Sequence, residues 1–181
     1  MQATRVHDWN VVITLRDGGI ASAKRLLRRF GRAERSGFFN VLVMHVEDAR
    51  AMLEALGTHP AGEGEVLSRV MPATHTFDFA SVEEFEQRGR HLAEELAPAL
   101  AGKSFHVRMH RRGFKGHLSS HQEERLLDAA LLDALGRAGN PGRITFEDPD
   151  VIVSGEIVGP RAGFAIWTRE ERARYPLLRL D

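Results

Sequence analysis

The 181-residue chain contains no cysteine. Disulfides, thiolate metal sites and a cysteine nucleophile are therefore excluded. Long hydrophobic runs are missing as well: nothing approaches the roughly 18 consecutive apolar residues that cross a bilayer. The opening MQATRVHDWNVV has no apolar segment of secretory length. A cytoplasmic protein without a membrane partner is expected. Net charge is absent too, because 25 lysines and arginines balance 25 aspartates and glutamates. Attraction to a polyanion must then come from a local patch, not from the whole molecule. Motifs of catalysis are lacking. There is no Gly-rich P-loop, no G-x-S-x-G elbow and no H-E-x-x-H, and the Gly18-Gly19 pair is too short for a phosphate loop. A non-catalytic protein without a cofactor is the expectation.

One further absence is local and says the most. From Ala97 to Gln122 there is not one carboxylate. Inside that window, KSFHVRMHRRGFKGHLSSH (103–121) holds Lys103, Arg108, Arg111, Arg112 and Lys115 together with His106, His110, His117 and His121. Phe105, Val107 and Met109 alternate with His106, Arg108 and His110, which predicts a strand with one apolar and one basic face. A Gly113-Phe114-Lys115-Gly116 turn follows. Arg108, Arg111, Arg112 and Lys115, with His110 and His117, are the candidate phosphate contacts, since guanidinium forks match phosphate oxygens and glycines admit a close backbone. Ser119 and Ser120 stand at a predicted helix start, where free amides favour an anion. Ser120 with Glu123 has capping-box spacing. The alternatives are a solvated edge strand, and a loop whose cations answer Glu123 and Glu124.

The four histidines form two His-x3-His pairs, so zinc is the rival reading: a small metal- or ligand-binding enzyme built on His106, His110, His117 and His121. No carboxylate lies nearby to support such ligands, and no metal is expected. A third reading makes the basic face the docking surface for an acidic protein. Lys24, Arg25, Arg28, Arg29 and Arg32 share one predicted helical face, with Arg35 beyond, and an arginine-lined helix can follow a phosphate ridge. Arg172 and Arg174 lie in the charged tail with Arg169, interrupted by Glu170 and Glu171. Trp9 and Trp167 are assigned to the core or an interface, and Tyr175 to packing.

The periodicity predicts an α/β protein. Asn10–Leu15, the Phe38–Met44 run, Val66–Met71 and Thr74–Phe79 read as strands, with helices from Ile20 to Phe30 and from Ala49 to Leu56. Gly57 and Pro60 should end the second helix before an Ala61–Gly64 loop. This order suits a small ferredoxin-like module over residues 1–79. Residues 80–181 read as a second domain. Ser81 and Glu84 open a helix with a Val82, Phe85, Leu92, Leu96, Leu100 stripe. The basic strand comes next, and then a helix with Leu127, Leu131, Ala134 and Leu135 inward. Strands at Ile144–Phe146, Val151–Val158 and Phe164–Trp167 complete the domain, separated by Asp148-Pro149-Asp150 and Gly159–Gly163 turns.

The second half resembles a THUMP domain, the RNA-binding module of several tRNA-modifying enzymes. The residues that carry the resemblance are Phe105–Arg108 through Arg111-Arg112-Gly113, Ser119-Ser120 before Glu123-Glu124-Arg125, and Phe146–Asp150 with the strand through Val153, Glu156 and Ile157. Arg174-Tyr175-Pro176-Leu177 is similar to the ending of stand-alone members that assist tRNA cytidine acetylation, in which a ferredoxin-like segment precedes the THUMP domain. The resemblance implies binding of tRNA at its acceptor stem and 3′ end, presented to a separate modifying enzyme such as an acetyltransferase. No catalytic domain of the kind found in those enzymes fits into the remaining residues.

Overall fold

The computed structural model describes residues 7–58 and 65–180. The Pro60 stop and the Ala61–Gly64 loop lie outside the described residues. Two compact units emerge: residues to Thr74 together with Arg172–Arg179, and His75–Glu171 with Leu180. The chain is of mixed α/β class, as its periodicity predicts.

In the first unit the elements are β1 (Val11–Leu15), α1 (Ile20–Leu27), β2 (Glu34–Arg35), β3 (Val41–Met44), α2 (Ala49–Gly57) and β4 (Leu67–Pro72). Its sheet order is β2-β3-β1-β4, antiparallel at every pairing. That is the split β-α-β-β-α-β arrangement of ferredoxin-like modules. All four residues of β3 are buried, as expected for a strand covered on both faces. Ala23 and Leu27 of α1, and Met52, Leu53 and Leu56 of α2, supply the helical side of the core. Asp48 caps α2, its Oδ1 accepting from the Ala51 amide at 2.9 Å.

Two local expectations are corrected here. The α1 helix stops at Leu27 with Arg28 as its C-cap, so Arg29 and Arg32 lie past its end and share no helical face with Lys24 and Arg25. Phe38 and Phe39 belong to the turn before β3 and are exposed, Phe39 at 85%. Arg169–Arg174 forms α5, after which the chain runs beside β4. There the Leu177 carbonyl accepts the Val70 amide at 3.0 Å, and the Arg179 carbonyl accepts Arg69 Nε at 2.7 Å. An edge strand is thereby covered.

The second unit contains β5 (His75–Asp78), α3 (Val82–Leu96), a 3-10 turn (Ala97–Leu100), β6 (Ser104–Arg112), α4 (Ser120–Arg137), β7 (Arg143–Ile144), β8 (Val151–Val158) and β9 (Arg161–Thr168). Its sheet order is β5-β9-β8-β6-β7, with β6 parallel to β7 and β8, and β9 antiparallel to β8 and β5. The strand read at Thr74–Phe79 thus belongs to this second sheet. Pairing with β8 also draws Arg161–Gly163, read as turn, into β9.

The α3 helix starts where its capping box predicts. Ser81 Oγ accepts the Glu84 amide at 3.1 Å, and Glu84 Oε2 accepts the Ala80 amide at 2.9 Å. That second bond holds the Glu84 carboxyl below its usual range. Phe85, Leu92 and Leu96 of α3 and Leu127, Leu131, Ala134 and Leu135 of α4 share a core with Phe105, Val107 and Met109 of β6 and Val151, Val153 and Ile157 of β8. Gly155 leaves the room this packing needs: a Cβ there would stand 2.6 Å from Phe164 Cε1 and 2.9 Å from Met109 Cγ. Trp9 and Trp167 are buried, and Trp167 Nε1 donates to Ser154 Oγ at 3.0 Å. Among the described residues no helix is long and apolar enough to cross a membrane.

Candidate nucleic-acid interface

The basic segment is β6, and β8 runs beside it along nearly its full length. On the other side β7 reaches only Ser104 and Phe105. Beyond that point the amides of Val107 and Met109 face no strand, and a buried amide needs an acceptor. Helix α4 supplies two. Asp128 Oδ1 accepts from Val107 at 2.9 Å, and Glu124 Oε1 accepts from Met109 at 2.8 Å. The first residue of β6 is tied similarly: Ser104 donates its amide to Asp150 Oδ2 and accepts the Asp150 amide on Oγ, both at 2.9 Å. The Ser104 amide, with the Ser104 hydroxyl, holds the Asp150 carboxyl below its usual range, and Arg169 and Arg143 assist. The Asp148-Pro149-Asp150 turn is thus an anchor for β6.

The acids of α4 therefore do not answer the basic loop in the way their sequence position suggests. Glu124 is engaged with the Met109 amide. Glu123 is buried, and desolvation with the neighbouring Glu86 carboxyl pushes it up to about 7 against the pull of Arg90. Burial likewise raises Asp128 to about 7, opposed by the Val107 amide.

Strand alternation lines up His106, Arg108, His110 and Arg112 on the sheet face away from the helices. They meet different fates. Arg108 is exposed and makes no hydrogen bond or ion pair among the described residues. Arg112 does not stand open: its Nη1 lies 2.8 Å from Oε2 of Glu156, a β8 carboxylate only 2% exposed. His110 Nδ1 is 3.8 Å from the other oxygen. Arg111 is half-buried and folds back, donating Nη1 to the Gly113 carbonyl. His106 is buried, with Nδ1 3.0 Å from the Thr145 carbonyl and its ring 5.3 Å from that of Phe146.

The turn from β6 to α4 runs through left-handed backbone at Gly113 (φ 103°), Phe114 (φ 53°) and Gly116 (φ 83°). Phe114 accepts this conformation because its ring is anchored 5.0 Å from Phe79 and its carbonyl takes the amides of His117 and Leu118, both at 3.0 Å. Lys115 and His117 are left exposed, and their side chains make no contact with a carboxylate among the described residues. Helix α4 begins one residue earlier than the capping-box spacing predicts. Ser119 is its cap, with Oγ accepting the Gln122 amide at 3.4 Å, and Ser120 is the first helical residue. The unbonded amides of a helix start therefore follow directly on the basic turn.

The remaining candidates divide in the same manner. Lys24 is half-buried, while Arg25 and Arg28 are exposed, and no partner of these three exists among the described residues. Arg29 lies over the Phe30 ring at 4.6 Å. Arg32 Nε pairs with Glu34 Oε1 at 3.0 Å. Arg172 is half-buried, and Arg174 pairs with Glu54, which also accepts the Tyr175 hydroxyl at 3.1 Å. Tyr175 is buried and is the packing anchor its position before Pro176 suggests. Among the described residues no group of three His, Asp or Glu side chains is placed to hold a metal ion, so the four histidines do not form the zinc cluster of the rival reading. The sequence names Glu156 only within the family resemblance, without its pairing, and gives Asp128 no role. A glutamate inside the apolar run VIVSGEIV is the signal that could have found the first, since a buried charge demands a partner.

No family model matches the sequence, and neither does any curated protein. Among solved structures, PH1313 from Pyrococcus horikoshii superposes over 87% of this chain and 53% of its own, with a TM-score of 0.58 at 12% identity. TrmN from Thermus thermophilus covers 87% of this chain and 44% of its own, with a TM-score of 0.55 at 19% identity. A 4-thiouridine synthetase solved with RNA and ATP covers 89% and 42%, with a TM-score of 0.54 at 12% identity. The chain thus spans about half the length, or less, of these structures. At such identities the likeness is one of fold.

Proposed function

We propose that this chain is an RNA-binding module of the THUMP kind. It grips structured RNA, tRNA above all at its acceptor stem and 3′ end, and presents it to a separate modifying enzyme such as a cytidine acetyltransferase. The observation that carries the reading is the exposure of Arg108, Lys115 and His117 on a pinned strand and its turn, with no carboxylate set against them. A pinned backbone presents such cations to phosphates without the cost of ordering a loop. The fold shared with TrmN and with a 4-thiouridine synthetase solved with RNA agrees with it. The first unit contributes Lys24, Arg25 and Arg28 as further phosphate contacts, and the chain itself performs no chemistry. A-form stems are read by shape and 2′-hydroxyls, so sequence preference within the stem is slight.

The test is binding of a folded tRNA and of duplex DNA of similar length between about 50 and 200 mM salt. The expected result is a preference for tRNA and a log–log salt slope steeper than about −2, since each phosphate contact contributes roughly −0.7 to −0.9. Equal affinity for both polymers, or no binding at the low-salt end, overturns the proposal.

A further inference from the structure

Phe146 is 73% exposed. A single exposed apolar side chain is ordinary on a mobile loop. This loop is tied on both sides of the ring. The Thr145 amide donates to the Phe105 carbonyl at 3.1 Å, and the Thr145 carbonyl holds His106 Nδ1 at 3.0 Å. Arg169 donates Nε to Asp148 Oδ1 and Nη2 to the Asp148 carbonyl, each at 2.8 Å. That clamp fixes a residue at φ 41°, and the Asp150–Ser104 pair closes the far end. The ring is therefore presented by rigid scaffolding and backed by an imidazole 5.3 Å away.

Its surroundings are cationic on one side. Arg108 follows His106 on the same face of β6, about 7 Å along at the strand rise. Arg143 is exposed on β7. Glu147, next in sequence, is exposed and disfavours a phosphate beside it, so Arg108 is the partner for one. An open aromatic ring packed on His106, with an arginine two residues further along the same strand face, matches a nucleotide whose base is unpaired, with its phosphate on the arginine.

We infer that Phe146, backed by His106, is a stacking platform for an unpaired RNA base, and that Arg108 holds the adjoining phosphate. This rests on the RNA-binding reading above. Two probes test it: a blunt RNA hairpin, and the same hairpin with a short unpaired tail carrying 2-aminopurine. The tail should raise wild-type affinity by about tenfold, since one stacked base is worth roughly 1–3 kcal/mol, and the 2-aminopurine should be quenched. Phe146→Ala should lose the increment and the quenching yet keep its affinity for the blunt hairpin and its thermal midpoint. Phe146→Trp should retain both, and Arg108→Ala should weaken both probes. If Phe146→Ala keeps the tail increment, or weakens both probes equally, the platform is wrong while RNA binding stands. If the wild-type chain binds neither probe, both ideas fall together.

Discussion

Arg108 and Arg112 lie on one face of one strand, yet they have different work. Arg112 neutralises Glu156, which is 2% exposed, and removing it takes the 2.8 Å ion pair from a buried carboxylate. Arg112→Ala is therefore expected to cost about 3 kcal/mol of stability. Arg108→Ala and Lys115→Ala should leave stability within experimental error and each flatten the salt slope of RNA binding by about 0.7–0.9. Denaturant unfolding beside anisotropy titrations at several salt concentrations checks both halves. A flattened slope in folded Arg112→Ala, or an unchanged one in Arg108→Ala, would reverse the assignment. The basic row itself was legible because alternation with Phe105, Val107 and Met109 is a local signal. The sealing of Arg112 was not, because Glu156 is 44 residues away in sequence and no local pattern announces that pairing.

Helix α4 acts at the scale of an element, since its carboxylates complete a strand edge that β7 leaves open. Asp128 and Glu123 have ordinary values near 4 in an unfolded chain and about 7 here. Between about pH 4 and 7 the folded protein holds protons that the unfolded chain has released. Their contribution is thus fullest at the acid end and is lost as pH rises through 7. Asp128→Asn keeps an oxygen for the Val107 amide and removes the titration. The stability of the variant relative to wild type should therefore climb from pH 4 to 7, read by urea unfolding across that range. A constant difference would show that the carboxyl is not protonated in the fold. Element starts were legible where a short motif decides them, as at Ser81 with Glu84. At α4 the same spacing pointed to Ser120, but Glu123 turns inward beside Glu86 and the cap falls to Ser119. The two-residue β2 left no periodic trace, and Phe38-Phe39 imitated a strand because apolar character alone does not distinguish a turn tip from a core.

Across the whole molecule, the sequence reading placed a boundary at 79/80, whereas the compact units divide at 74/75 and Arg172–Arg179 rejoins the first. Composition gave no warning of that return, because a tail rich in charge reads as solvated until its backbone is seen beside β4. Removing residues 172–181 should expose the Val70 amide, which Leu177 now holds at 3.0 Å, and speed its hydrogen exchange by about tenfold or more. Amides of α3 and β8 should keep their protection. Equal protection at Val70 with and without the tail would deny it a role in closing that edge. The same return has a bearing on how the protein matures on the ribosome. Residues translated after the second unit seal the one translated before it, so the earlier half waits, one flank of its sheet bare, until its sibling has emerged.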